Sequence, residues 1–310
     1  MLTNRKSVAL LPLFALVIFL GGCKPSGPDA LLEGERLIRE GDYAAAQEKL
    51  KLAVELLPFE AQAWNHLGLA HHGASQPREA AQAYRKALDL EPNLAIARYN
   101  LGCLLLELNQ PAEAARELTS FTLLQSRAEY GWLKKATAEL RSQQYAAAEK
   151  SFQSALALYP KLPEALNGLG MIQLSRNRPA DALKYFTQAL QVQSNYPPAL
   201  LNVAILSHRW PPGRAQDYRP FALQKYREYL ALKPRPANWP AVEEVAHRLD
   251  LELHPPPPPQ APTLVASVKT NGAPTTNTPA AAPPPVTPPT KAAESRPAAV
   301  TNTQVAANNT

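Results

Sequence analysis

The chain has 310 residues, of which 45% are hydrophobic and 19% charged, and a formal net charge of +6. Arg5 and Lys6 belong to a leader described below; without these two cations the charge is +4, modest for this length. Lysines and arginines alternate with acids instead of massing on the basic face that nucleic-acid binding needs, so that class is excluded.

The N-terminus reads as a targeting segment. Arg5 and Lys6 precede an apolar run from Val8 to Leu20, too short to span a bilayer as a helix and shaped like a signal peptide. Leu20-Gly21-Gly22-Cys23 follows and resembles the bacterial lipoprotein cleavage box. The resemblance implies a removed leader over 1–22, a diacylglyceryl group on Cys23 and acylation of the new N-terminus. Lys24, where the enterobacterial sorting rule puts aspartate in inner-membrane lipoproteins, implies the periplasmic face of the outer membrane. The other reading makes Cys23 an ordinary residue of a secreted protein. Under the anchor reading, the tether of 23–26 reaches roughly 15 Å at most. Several acyl chains would make the attachment stable.

From Gly27 the chain repeats every 34 residues, in copies at 27–60, 61–94, 95–128, 129–162 and 163–196, then a distorted one at 197–236. Such a period marks an array of supersecondary units, not one globular core. The second copy reads as two amphipathic helices with a turn at Ser75-Gln76-Pro77 and a stop at Pro92. The eighth place of each copy is small: Gly34, Gly68, Gly102, Ala136, Gly170 and Ala204. The twentieth is alanine: Ala46, Ala80, Ala114, Ala148, Ala182 and Ala222. Four residues later stand Leu50, Tyr84, Leu118, Phe152, Phe186 and Tyr226. Small residues let paired helices approach closely and the large ones fill the complementary space. Pro58, Pro92, Pro160 and Pro234 end second helices, while Pro77, Pro111 and Pro179 open them.

These residues resemble the tetratricopeptide repeat (TPR) family over about 210 residues. The resemblance implies an all-α fold: a right-handed α-solenoid of about six hairpins over 27–254, with a C-terminal capping helix. Two departures stand out. The fourth place is Trp64 and Trp132 in two copies but Ala30 and Arg98 in others. The eleventh, usually bulky, is Glu139, Gln173 and Ser207 in the later copies, where looser packing is expected.

The turn of the sixth copy is lengthened between His208 and Pro220 by a stretch holding two aromatics and three arginines, which reads either as a contact loop or as a tolerated insertion. Residues 240–253 supply a cap, with Ala241, Val242, Val245, Leu249 and Leu253 on one helical face. From 255 to 310 the chain has 14 prolines, four charges and no aromatics; it should stay disordered, as a spacer or as a tether that reaches the cell wall.

No catalytic constellation is present. There is no Gly-rich phosphate loop, GxSxG elbow or Cys-x-x-Cys, and His66, His71 and His72 lack the i, i+4 spacing of a helical metal site. Cys103 has no His or Asp at a recognisable spacing and reads as a packing residue. The chain is therefore read as no enzyme, with no cofactor, metal or small-molecule substrate. What remains is binding by shape. In the TPR family the first helix of each pair lines a concave groove, chiefly through its second, fifth, ninth and twelfth places. Carried over, these include Asn65, Leu69, Ile96, Tyr99, Leu106, Tyr130, Leu133, Leu140, Asn167 and Met171. The middle of that groove is apolar and aromatic, suited to an amphipathic helix or an apolar peptide. The carboxylate clamp of some members is not complete, because only Asn100 and Lys134 of its five places match. The expected function is a membrane-anchored scaffold for envelope proteins, as a pilotin-like assembly factor for a secretin or pilus or as an adaptor for cell-wall machinery. The alternative is a structural lipoprotein whose Pro-rich tail links membrane to wall.

Overall fold

The computed structural model describes residues 26–209 and 217–256. The leader with Cys23, most of the long turn of the sixth copy and the tail from 257 lie outside the described residues. Among those described there are thirteen helices and no strand. They are α1 (Gly27–Glu40), α2 (Tyr43–Leu56), α3 (Ala61–Gly73), α4 (Pro77–Leu90), α5 (Ala95–Glu107), α6 (Pro111–Leu124) and α7 (Glu129–Arg141). Then come α8 (Tyr145–Leu158), α9 (Pro163–Ser175), α10 (Pro179–Val192), α11 (Pro197–His208), α12 (Arg219–Leu230) and α13 (Trp239–Leu253). The chain divides into two compact units, up to Leu206 and from Ser207 onward.

In the first unit α1 pairs with α2, α3 with α4, and so on to α9 with α10, and each hairpin packs on the next. The 34-residue frame sets every helix start. The turns inside the hairpins repeat as well: Gly41, Ser75, Asn109, Gln143 and Asn177 all take positive φ, from 55° to 80°. A left-handed residue after the last helical turn lets two N–H groups reach back, as when Ser75 donates to His72 O and Gln76 to His71 O. Glycine and asparagine enter that conformation at little cost, serine and glutamine at more.

Helix pairing rests on the size pattern. A Cβ added at Gly68 would lie 2.5 Å from the Tyr84 ring, and one at Gly34 2.4 Å from Leu50 Cγ. The alanines of the twentieth place are all fully buried. At the fourth place, the three residues with a side-chain donor act alike. Trp64 donates its indole N–H to Pro58 O at 3.0 Å and Trp132 its own to Ser126 O at 2.9 Å. Arg98 does the same with its Nε–H, to Pro92 O at 2.9 Å, and adds an ion pair to Glu117. The guanidinium thus replaces an indole in bracing the preceding loop. At the eleventh place Glu139, Gln173 and Ser207 stay buried. Glu139 has one oxygen 3.7 Å from Lys135 Nζ and the other without a partner.

In the second unit α12 and α13 pack together, burying Leu223, Tyr226 and Tyr229 on one and Val242, Ala246 and Leu249 on the other. The Trp239 indole donates to Leu230 O, and Arg227 pairs with Asp250 at 2.8 Å. Ala241, placed by helical periodicity on the inner face, is exposed, and Ala246 takes its role.

Candidate peptide-binding site

The odd-numbered helices touch one another directly, α1 with α3, α3 with α5, α5 with α7 and α7 with α9, whereas no even-numbered pair of the first unit does so to a comparable degree. The odd helices therefore form the inner layer of the array, and the groove places sit on them.

These places do not share one character. Asn65 is almost fully buried and accepts a hydrogen bond from Asn100 Nδ2 at 3.0 Å. The half-buried Asn167 accepts one from Asn202 at 2.9 Å, so a clasp recurs between the fifth place of one copy and the sixth of the next. Both asparagines thus serve the contact between repeats. Leu106 is also buried, and its carbonyl takes a hydrogen bond from Arg141. His72 Nε2 lies 2.7 Å from Glu107, the next odd helix's residue. His66 Nδ1 comes within 3.1 Å of Glu35 without hydrogen-bond geometry. Burial pushes the His66 imidazole down from its ordinary pKa, with Glu35 acting against it. His71 bonds Gln76 at 2.6 Å. The three histidines are thus held by different neighbours, and among the described residues no group of three metal-ligating side chains converges.

Between the third and fourth copies the face changes. Tyr99, Phe121 and Tyr130 form an aromatic triad with centroid separations of 5.0 to 5.7 Å, and Tyr99 stands edge-on to Tyr130 at 86°. Phe121 is buried beneath, while Tyr130 and Ile96 are 44% and 43% exposed. Leu69 and Tyr99 border the second and third copies' core, whereas Leu133 and Leu140 border the fourth's. Met171 lies farther along, against the core around Phe186.

Phe121 is the residue that groove register misses, because it belongs to an even helix. Its place holds Ala53, Ala87, Ala155 and Ala189 in the other four copies of strict register, all fully buried, and Tyr229 in the distorted sixth. The ring fits because the facing place, elsewhere Ala63, Ala97, Ala165 and Ala199, is Gly131 here. A Cβ at Gly131 would stand 2.2 Å from Phe121 Cε1. One alanine–alanine contact has thus been exchanged for a phenylalanine–glycine contact, and the larger ring packs at a tilt against both Tyr99 and Tyr130. The signal was in the sequence, as two simultaneous departures from alanine in register.

Cys103 lies on the same face. Its thiol is pushed up by burial, with Lys134 and a bond to Tyr99 opposing, the opposite of what a nucleophile needs.

Profiles described as tetratricopeptide repeat match residues 61–94, 83–116 and 133–199. The chain is similar to the type IV pilus assembly protein PilF of Pseudomonas aeruginosa, 25% identical over 211 residues, covering 63% of this chain and 71% of that protein. The solved structure of Pseudomonas aeruginosa PilF shares the fold with a TM-score of 0.56 at 19% identity, over 71% of this chain and 97% of that one. A TPR protein from Parabacteroides merdae gives a TM-score of 0.62 at 16% identity, over 74% of this chain and 88% of that one. The peroxisomal targeting signal receptor of Candida albicans is 40% identical over 70 residues, only 12% of that receptor and 23% of this chain, so what the two share is the repeat itself. Register, turn geometry, size complementarity and these likenesses agree: the chain is a tetratricopeptide-repeat protein.

Proposed function

We propose that the protein is a lipid-anchored scaffold of the bacterial envelope that captures an amphipathic helix or an apolar peptide on the aromatic face between its third and fourth repeats. The observation that carries this is the Phe121–Gly131 exchange, which sets a buried ring against Tyr99 and Tyr130 at the junction of the third and fourth repeats, where Tyr130 and Ile96 are substantially exposed. Exposed aromatic side chains on a rigid helical platform supply contact area at low entropic cost, as binding hot spots do. Leu133, Leu140 and Met171 extend the apolar strip, and Asn65, Asn167 and Leu106 support it from within.

The likeness to a type IV pilus assembly protein favours assembly of a pilus or secretin component over cell-wall adaptation as the process served. Cys23, after its lipoprotein-like box, supplies the anchor, on the periplasmic face of the outer membrane. The domain plan is then a leader over 1–22, a tether over 23–26, the repeat array with its cap over 27–254 and a Pro-rich tail over 255–310.

The test uses soluble 24–310 and 24–254 chains for capture from envelope extract. Both should retain the same partner, and Tyr99→Ala with Leu133→Ala should lower its retention at least about tenfold, the loss of one hot spot. Deletion of the gene should remove secretin multimers. Retention by the longer chain alone would instead establish the tail as the functional part, in a structural lipoprotein linking membrane to wall.

A further inference from the structure

The first hairpin departs from the others at two exposed places. The place before the closing residue of each copy is Asn93, Arg127, Lys161 and Asn195 in copies two to five, but Phe59 in the first. Its ring is 84% exposed. The sixth place is His66, Asn100, Lys134, Gly168 and Asn202 in copies two to six, but Leu32 in the first, 63% exposed. Leu56, three residues before Phe59, is 48% exposed. Nothing in hairpin packing calls for Phe59 or Leu32, because their positions are polar or glycine in the later copies, whereas Leu56 adjoins Phe59 at a place that is apolar throughout, as Leu90, Leu124, Leu158 and Val192.

Their location gives them an occupant. The backbone comes into the array beside this surface: a Cβ at Gly27 would lie 2.5 Å from Leu57 Cγ, and Phe59 follows Leu57 by two residues, about 7 Å of chain at most. Only Lys24, Pro25 and Ser26 separate Gly27 from Cys23. A bilayer holding acyl chains on Cys23 is thus within reach of Phe59, whereas the later repeats are farther along the array. Glu60 and Glu33 adjoin the two departures, so no basic cluster recruits anionic headgroups. The match is to the boundary between headgroups and acyl chains, where aromatic rings settle.

We infer that Phe59, with Leu56 and Leu32 of the same hairpin, is a second membrane contact, inserting at the headgroup–acyl boundary beside the acylated Cys23 and fixing the first hairpin against the bilayer. The inference rests on the anchor reading above. Its consequence is orientation: a tether that short plus an inserted ring leaves the array one attitude at the membrane, with the aromatic face at a set height above it.

The experiment uses the full-length acylated chain in phosphatidylethanolamine–phosphatidylglycerol vesicles containing brominated acyl chains. A fluorescent probe is attached at Phe59→Cys or at Asn195→Cys, each with Cys103→Ala. Bromolipid quenching at 59 should exceed that at 195 by about threefold or more and should persist in about 0.5 M salt, since burial and not charge drives it. Equal quenching at both positions, on a chain whose mass shows the acyl groups, overturns the membrane contact and leaves the anchor standing. A mass without acyl groups overturns the anchor reading and the contact with it. Protection of position 59 from an aqueous quencher without bromolipid quenching would assign the surface to a second copy of the chain, and also overturns the contact.

Discussion

Two neighbouring junctions of the array use the same places to opposite ends. Between the second and third repeats, Ala87 and Ala97 meet in one small cluster and the groove residue above, Asn65, is closed by Asn100. Between the third and fourth, Phe121 lies against Gly131, and the groove residues above are Tyr99 and Tyr130, in edge contact with each other and partly open to solvent. The backbone frame is common to both. The difference is that polar groove residues satisfy one another across repeats, whereas aromatic ones leave faces and edges free. A register place therefore fixes where a side chain stands and leaves open whether it serves the array or a ligand.

The sharpest way to break the comparison is to convert one junction into the other. Phe121→Ala removes a buried ring and should cost about 3–4 kcal/mol, read as a lower urea midpoint. Gly131→Ala alone should cost about 1–3 kcal/mol, because the added methyl collides with that ring. Together, the two restore the alanine–alanine contact of the other junctions, and stability should recover to well above the sum of the single losses. Strict additivity of the two losses would show that ring and glycine do not form a unit. The double variant should also lose partner binding despite its stability, because Tyr99 and Tyr130 no longer have their platform.

The next contrast separates array from ligand. Tyr130→Ala should lower partner affinity by about 2 kcal/mol while moving stability by under about 1 kcal/mol, since the ring is partly exposed. Asn65→Ala should do the reverse: it leaves Asn100 without its acceptor, at about 1–2 kcal/mol of stability, with affinity nearly unchanged. Calorimetric titration and urea unfolding on the same samples read both effects. A large affinity loss in Asn65→Ala would move the ligand onto the clasp and narrow the difference between the junctions.

The fold was legible because its rules are carried by residue size at fixed spacing. Gly68 and Tyr84 announce a close approach before any coordinate is known, and Pro77, Pro111 and Pro179 announce helix starts. The left-handed turn place was legible at Gly41, Asn109 and Asn177, and hidden at Ser75 and Gln143, whose side chains give no sign of positive φ. The bracing role of Arg98 was hidden too, because a guanidinium and an indole share a donor geometry and not a residue class. For the aromatic cluster, register supplied Tyr99 and Tyr130 but not Phe121, which reaches the same face from beneath. Asn65 carried the converse ambiguity: a polar residue on an inner helix reads equally as a ligand contact or as half of a clasp. Its partner lies 35 residues on, and only the recurrence of that spacing at Asn167 and Asn202 points to the clasp.

The smallest expected effect concerns the junction between the first and second repeats, where the pair across the inner face is ionisable. His66 is part-buried against Glu35, and its pKa is lowered, chiefly by burial, with Arg39 adding to the shift and Glu35 opposing it. The unfolded chain then binds a proton on this histidine more readily than the folded one. The resulting stability is fully present above the unfolded pKa of about 6.5, and it falls as pH drops through that value toward the folded pKa. His66→Gln keeps the size and removes the titration, so the loss of urea midpoint between neutral and mildly acidic pH should shrink in the variant. Asn100, at the same sixth place one repeat on, cannot titrate, and Asn100→Gln should leave the slope as it was. A slope unchanged by His66→Gln would mean that Glu35 compensates the buried imidazole in full, and this junction would then join the asparagine clasp as a contact that closes on itself.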